Sequence, residues 1–233
     1  MSTVARRERE KRQRRESIID AAEKLFSSKC YDDISMNDIA KEVELNRATL
    51  YLYFENREAL CFAVILRGVR LLNEMVRNRV KTAAYPQKIN AFGTTYYHFF
   101  SLYSQYTQVY NLFQSGRFDI SALRRPAWDD VQEIIKLQKE LFDILRSAIK
   151  TERGSGTISS EVDPTYATIL VISAIDSMIN PSPLLEKEFK KMDAHKYQDF
   201  RRSYVNFVSQ LLKKKDTKVP KDAWNRSKGL FKD

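Results

Sequence analysis

Seven basic side chains, Arg6, Arg7, Arg9, Lys11, Arg12, Arg14 and Arg15, stand within the first fifteen residues against two acidic ones. Guanidinium groups at that density hold polyanions, through Coulomb attraction and release of the polyanion's counterions. A second basic run closes the chain, where residues 213–233 carry eight basic and three acidic groups. The chain as a whole is +10, from 40 basic and 30 acidic residues. Each terminal segment supplies half of that excess, which leaves the body between them neutral. Charged termini are also simply solvated in many proteins, and composition alone does not separate the two readings.

Catalytic chemistry has no comparable footing. Only two histidines and two cysteines occur in 233 residues. There is no phosphate-cradling glycine loop, zinc-ligand spacing, Ser/His/Asp set or Cys–His pair, so no enzyme activity, metal or cofactor is expected. Cys30 and Cys61 have no other Cys or His grouped near them and read as buried fillers in a reducing compartment. No run of about 18 apolar residues and no signal-peptide pattern occurs, which predicts a cytoplasmic protein without membrane insertion. Trp224, Leu230 and Phe231 in the basic tail keep a peripheral membrane contact open as an alternative.

The elements that must position these charges are helices. Six glycines and six prolines are too few for a turn-rich β fold. Ile18, Ala22, Leu25 and Phe26 share one face of a helix over Arg14–Ser27. Further helices are predicted over Asn56–Thr82, from Pro86 to Tyr103, over Gln105–Gln114, and from Pro126 to the Gly154-Ser155-Gly156 stop. Asp163-Pro164 opens another, reaching Asn180, with a loop at Pro181 and Pro183. Phe200, Tyr204, Phe207, Val208 and Leu211 mark a last helix. The fold class is all-α.

Between Ser35 and Phe54 the pattern becomes specific. Ser35 and Asp38 form a capping box. Ile39, Val43 and Leu45 are an apolar set, and Asn46 caps a second helix carrying Leu50, Tyr53 and Phe54. Ala40 is small where the two helices must cross. Such a pair, with a tight turn at Glu44-Leu45, is the form of a helix-turn-helix whose second helix enters the major groove of DNA. An ordinary helical hairpin has the same pattern, and the neighbouring residues decide between them.

Those neighbours are Ile19-x-Ala21-Ala22-x-x-Leu25-Phe26, Tyr31, Asp38-Ile39-Ala40-x-x-Val43, and Ala48-Thr49-Leu50-Tyr51-x-Tyr53-Phe54-x-Asn56-Arg57-Glu58-x-Leu60. Residues Arg14 to about Leu66 resemble the N-terminal domain of the TetR family of bacterial and archaeal regulators. The resemblance implies a three-helix DNA-binding domain followed by a helical bundle for effector binding and dimerisation. It divides the chain into a basic arm at 1–15, a DNA-binding domain at 16–62 with its helix-turn-helix at 35–54, a bundle at 63–215 and a basic tail at 216–233. It also implies that Asn46, Arg47, Ala48 and Thr49 face base edges or phosphates, that Tyr51 reaches a phosphate while Tyr53 is half core, and that Arg57 binds a phosphate at a helix N-terminus. Met36 and Asn37 are expected to touch the backbone or an edge base, and Arg6, Arg7, Arg12 and Arg14 to supply charge from the arm, partly as a helical extension and partly along the minor groove.

Three residues depart from the family pattern. Glu44 stands where the turn usually has glycine, and a left-handed conformation costs it about 1 kcal/mol. Cys30 replaces another frequent glycine. Leu52 replaces a residue that is often polar. Residues 30–60 also hold three basic groups against seven acidic ones, so the reading head is itself acidic. That favours, as an alternative, a TetR-like helical adaptor or small-molecule carrier without sequence-specific DNA binding.

The bundle is rich in aromatic residues. From the resemblance, Phe92, Tyr96, Phe99, Phe100, Tyr103, Tyr106, Tyr110 and Phe113 are expected to line a pocket for a small lipophilic or aromatic effector. Core packing explains any one of these rings as well. Ile169, Ile172, Ile175 and Met178, with Tyr204, Phe207 and Leu211, are expected at a homodimer interface. A dimer would set two reading helices on a near-palindromic site in double-stranded DNA. Because the head is acidic, deleting residues 1–12 should weaken DNA binding strongly and flatten its salt dependence. Unchanged affinity at about 150 mM salt in a titration of the truncated protein overturns this role for the arm.

Overall fold

The structure, a computed structural model, describes residues 3–193 together with 200, 203, 204, 208, 210 and 212. Every regular element among them is helical: α1 Thr3–Ser28, α2 Met36–Glu42, α3 Arg47–Tyr51, α4 Arg57–Thr82, α5 Lys88–Leu102, α6 Ser104–Gln114, α7 Ala127–Gly154, α8 Pro164–Ile179 and α9 Pro183–Lys190. Short 3-10 turns occupy Tyr31–Asp33 and Ile120–Ala122. The starts of several helices follow from side-chain caps that satisfy otherwise orphaned amides. Ser35 and Asp38 form the reciprocal capping box. Asn46 accepts from the Thr49 amide at 2.7 Å and Asn56 from the Ala59 amide at 2.7 Å. Asp163 accepts from Thr165 and Tyr166 at the start of α8.

Two elements differ from expectation. Helix α1 begins at Thr3 rather than near Arg14, so the basic arm is helical throughout its described length. Residues 3–28 contain no glycine or proline and are dominated by strong helix formers, and Arg6 pairs with Glu10 one turn on at 2.8 Å. The buried face starts only at Ile18. The arginine-bearing part therefore projects as a rod of roughly 20 Å. Helix α9 forms where a loop was expected, because Ser182 caps it and Pro183 takes a first-turn position that needs no amide. The expected last helix lies mostly outside the described residues, as do Phe207, Leu211 and the tail at 216–233.

Helix α4 is the spine. Residues 59–66 are buried without interruption, which requires neighbours on all sides. Its first turns pack against the head, and the remainder against α5, α6 and α7. The anticipated domain boundary at 62/63 thus falls inside one continuous helix, and a single apolar cluster extends from Ile18 to Met178, with Val208 and Leu212. Charged pairs set the orientation of its neighbours. Arg67 bonds Glu16 and Asp20 of α1 at 2.6 Å each and Glu23 at 3.0 Å. Arg70 makes a two-pronged contact with Glu133 of α7 at 2.8 and 2.6 Å. Among the described residues no single helix is long and apolar enough to cross a membrane.

Gln87 provides no side-chain cap for α5. Glu152 of α7 fills that role, its buried carboxylate accepting from the Lys88 and Ile89 amides at 3.1 and 3.4 Å, where the helix macrodipole favours negative charge. Helices α4 and α6 approach closely at Gly68, where an added Cβ would lie 2.7 Å from the Tyr106 ring. Gly68→Ala should therefore destabilise the protein by about 1–2 kcal/mol despite the better helix propensity of alanine. Thermal denaturation should show this as a fall in Tm of several degrees.

Candidate nucleic-acid interface and effector cleft

Helix α3 has five residues, and its placement comes from what surrounds it. Glu44 adopts φ +54 in the turn before it, the left-handed conformation that the glycine-type position demands. Its amide and that of Leu45 close the end of α2, on Lys41 O at 3.2 Å and Ala40 O at 2.9 Å, which helps offset the strain. Leu50 and Phe54 are buried in the core. The opposite side of α3 presents Asn46, Arg47, Ala48, Tyr51 and Leu52 to solvent, with Thr49 half-buried and Asn37 of α2 exposed beside them. Arg47 donates to the Tyr51 hydroxyl at 3.2 Å and lies 5.4 Å over its ring, so the guanidinium is pre-positioned on the exposed face. A guanidinium, an amide, a methyl and a phenol on one narrow helix suit the donor and acceptor edges of a major groove.

Two expected contact residues turn inward. Met36 is buried in the core, its side chain facing away from that surface. Arg57 donates through Nη1 to the carbonyls of Tyr31 and Ile34, at 2.9 Å each, and of Asp32 at 3.4 Å, with its guanidinium 4.0 Å over the Tyr31 ring. The loop after α1 leaves these carbonyls without helix partners, and a cation satisfies them. Tyr53 is half-buried and packs on the core. Burial also pushes the Tyr31 hydroxyl pKa up. Of the cysteines, Cys61 is buried and Cys30 is exposed, so only the first fills the core.

The acidic excess of the head is turned toward its own protein. Glu42 pairs with Lys24 of α1 at 2.5 Å, and Asp32 with Arg117 at 2.5 Å. Glu55 accepts from the Arg124 amide at 3.1 Å, Glu58 from the Tyr31 hydroxyl at 3.3 Å, and Asp38 belongs to the capping box. Two of these partners lie on the connection between α6 and α7, which the sequence did not mark as functional. That connection also wedges Phe118 between Tyr31 and Phe62, with ring centroids 5.6 and 5.2 Å away. Arg15 adds a bridge to Asp130 of α7 at 3.0 Å, its guanidinium 5.1 Å over Phe54.

Most of the rings expected to line a pocket pack closely on one another. Phe92, Tyr96, Phe99, Phe100, Tyr106 and Tyr110 are buried. Phe99 stacks on Tyr106 at 5.8 Å and contacts Tyr103 at 5.0 Å, Phe100 meets Tyr110 at 5.0 Å, and Phe113 meets Phe62 edge-on at 6.0 Å. Rings so close are core, each pair adding about 1 kcal/mol beyond area burial. Phe100 and Tyr110 of the expected set border a cleft of about 220 Å³ completed by Asn111, Gln114, Asp176, Ser177, Ile179 and Asn180. A larger groove of about 590 Å³ between α4 and α7 touches none of the eight.

On α8, Ile175 and Met178 face the core and leave the expected dimer surface. Ile169 is 51% exposed, as are Tyr166 at 75% and Leu170 at 49%. Ile172 and Tyr204 are half-buried.

The family model described as bacterial regulatory proteins, tetR family, matches residues 18–64. An uncharacterised HTH-type transcriptional regulator of Mycobacterium tuberculosis is 42% identical over 69 residues, which is 30% of this chain and 34% of that protein. An HTH-type transcriptional regulator of Staphylococcus aureus is 48% identical over 55 residues, 24% of this chain and 30% of its own. The chain thus matches these relatives over about a third of their length. Among solved structures, the TetR-family regulator PfmR of Thermus thermophilus superposes with a TM-score of 0.61 at 20% identity, over 82% of this chain and 92% of its own. FadR of Bacillus subtilis, solved with stearoyl-CoA, gives 0.60 at 21% over 84% and 96%. AibR, solved with isovaleryl coenzyme A and operator DNA, gives 0.56 at 21% over 82% and 97%. Over residues 18–64 the chain is similar to the DNA-binding region of TetR-family regulators, and its fold is that of TetR-family structures.

Within this TetR-like head, Arg57 and the arm arginines separate by role. Arg57→Ala should lower stability by about 2 kcal/mol, since it removes charged hydrogen bonds from half-buried carbonyls. Arg12→Ala, on the exposed face of α1, should leave Tm unchanged. Thermal melts of the two variants side by side check this. An unchanged melt for Arg57→Ala overturns its assignment as a clamp.

Proposed function

We propose that this protein is a cytoplasmic, DNA-binding transcriptional regulator of the TetR family that acts as a homodimeric repressor and leaves its operator when a small molecule binds. The observation that carries this reading is the exposed N-terminal face of α3, with Arg47 held against Tyr51 while five of the seven head acids are engaged by groups of the protein itself. The projecting arginine-rich part of α1 supplies the charge the head lacks. It would enter as a helix following the DNA, in keeping with the helical-extension part of the expectation.

The outward face of α8, Tyr166, Ile169 and Leu170, supports pairing with a second copy, since an isolated protein rarely leaves such a stripe in water. Two copies would set two α3 helices on one near-palindromic operator. The effector reading is supported by the cleft beside Phe100 and Tyr110, where a lipophilic or aromatic group can stack. The coenzyme A compounds seen with FadR and AibR are those proteins' ligands. They support the view that a body of this shape accepts a small molecule. Gln114, the last residue of α6, borders the cleft and precedes by three positions Arg117, which grips the head. Shifting occupancy from mostly bound to mostly free needs about 5 kcal/mol of preference for the released state.

Fluorescence anisotropy with DNA from upstream of the protein's own gene tests the reading. Binding should be tight, at least about a hundredfold stronger than to scrambled DNA, and Arg47→Ala should cost at least tenfold. Equal affinity for both DNAs points to the adaptor alternative.

A further inference from the structure

Asp176, on α8, lines the cleft between α5, α6 and α8. One oxygen of its carboxylate accepts a hydrogen bond from the Tyr96 hydroxyl at 3.1 Å, and Tyr96 is itself buried in the core. The Tyr110 hydroxyl, held by Gln138 at 2.9 Å, stands beside it. The other polar groups around the opening are neutral: Asn111, Gln114, Ser177 and Asn180. Among the described residues no lysine or arginine forms an ion pair with Asp176. Burial pushes its carboxyl pKa up, and the hydroxyl of Tyr96 pulls it down.

A half-buried carboxylate among neutral groups is a charge waiting for a counterion, because desolvation penalises it until a cation arrives. The same cleft has an apolar side, formed by Phe100, Ile179 and the ring of Tyr110. A volume of about 220 Å³ at protein packing density holds roughly ten non-hydrogen atoms. The α4–α7 groove offers no such charge, since its Glu140 and Asp143 already pair with Arg77, Lys139 and Arg146.

We propose that this cleft binds a small organic ammonium ion with an aromatic or branched hydrocarbon body, Asp176 taking the ammonium and Phe100, Tyr110 and Ile179 the hydrocarbon. The inference rests on the effector reading above and names its ligand class. A polyanionic ligand is disfavoured there, because the carboxylate repels it and no basic side chain lines the opening. The guest would touch Gln114 at the end of α6, three residues from Arg117.

Calorimetric titration of the full chain with 2-phenylethylammonium and with uncharged 2-phenylethanol tests this. The ammonium should bind saturably, the alcohol at least about tenfold more weakly, and Asp176→Asn should abolish the difference while keeping an acceptor for Tyr96. Gln114→Trp, at the exposed rim, should block the ammonium without changing the melting temperature. Equal binding of the two probes, no saturable binding of the ammonium, or a charge preference that survives either variant overturns the proposal. No DNA is present in the titration. A protein that ignores the ammonium but binds its upstream DNA specifically therefore overturns this inference alone and leaves the regulatory reading standing.

Discussion

A helix of five residues makes too few internal hydrogen bonds to stand alone in water, where about a dozen residues are the usual minimum. Yet α3 carries the face most suited to DNA. Its position must therefore be imposed from outside, and much of the head can be understood from that need. Asn46 fixes where it starts, Glu44 accepts a left-handed conformation so that the chain can turn into it, and Leu50 and Phe54 pin its inner side. Phe54 in turn lies under Arg15, which is tied to α7. The exposed face of α3 is thus tied to the bundle through Phe54 and Arg15.

Charge follows the same logic. An acidic head would be repelled by phosphates if its carboxylates pointed outward. Instead Asp32 and Glu55 hold the α6–α7 connection, Glu42 holds α1, and Asp38 caps α2. Each of these pairs is partly exposed and adds little stability alone. Their combined effect is orientation: Asp32 and Glu55 serve the junction with the body, Glu42 and Asp38 the packing and capping of the head itself, and the exposed arginines of α1 project beyond both. The clamp of Arg57 on three carbonyls is the reverse case, a cation withdrawn from the surface to satisfy backbone.

The aromatic bundle joins these parts. Phe62 of α4 touches both Phe113 and Phe118, so one ring connects the end of α6, the connection to α7 and, through Tyr31, the head. Close-packed rings transmit displacement because they have nowhere to yield. The cleft is bordered by Gln114 at the end of α6, three residues before Arg117, which pairs with Asp32 of the head.

The parts of this protein that were legible from residues alone are those governed by contacts within about four positions. The capping box at Ser35, the caps at Asn46, Asn56 and Asp163, and the strained turn at Glu44 are local, so spacing specifies them. The all-helical class followed from periodicity in the same way, and the string from Thr49 to Leu60 carried the family resemblance. Long side chains escaped that reading, because their partners are far along the chain. Arg57 found carbonyls 23 to 26 residues earlier, and Arg117 found Asp32 across 85. Helical spacing also marks a residue as apolar without saying what covers it. Only packing decided that Met36, Ile175 and Met178 face inward, which rings of α5 and α6 stack on one another, and that Asp176 lines a cleft with Phe100 and Tyr110.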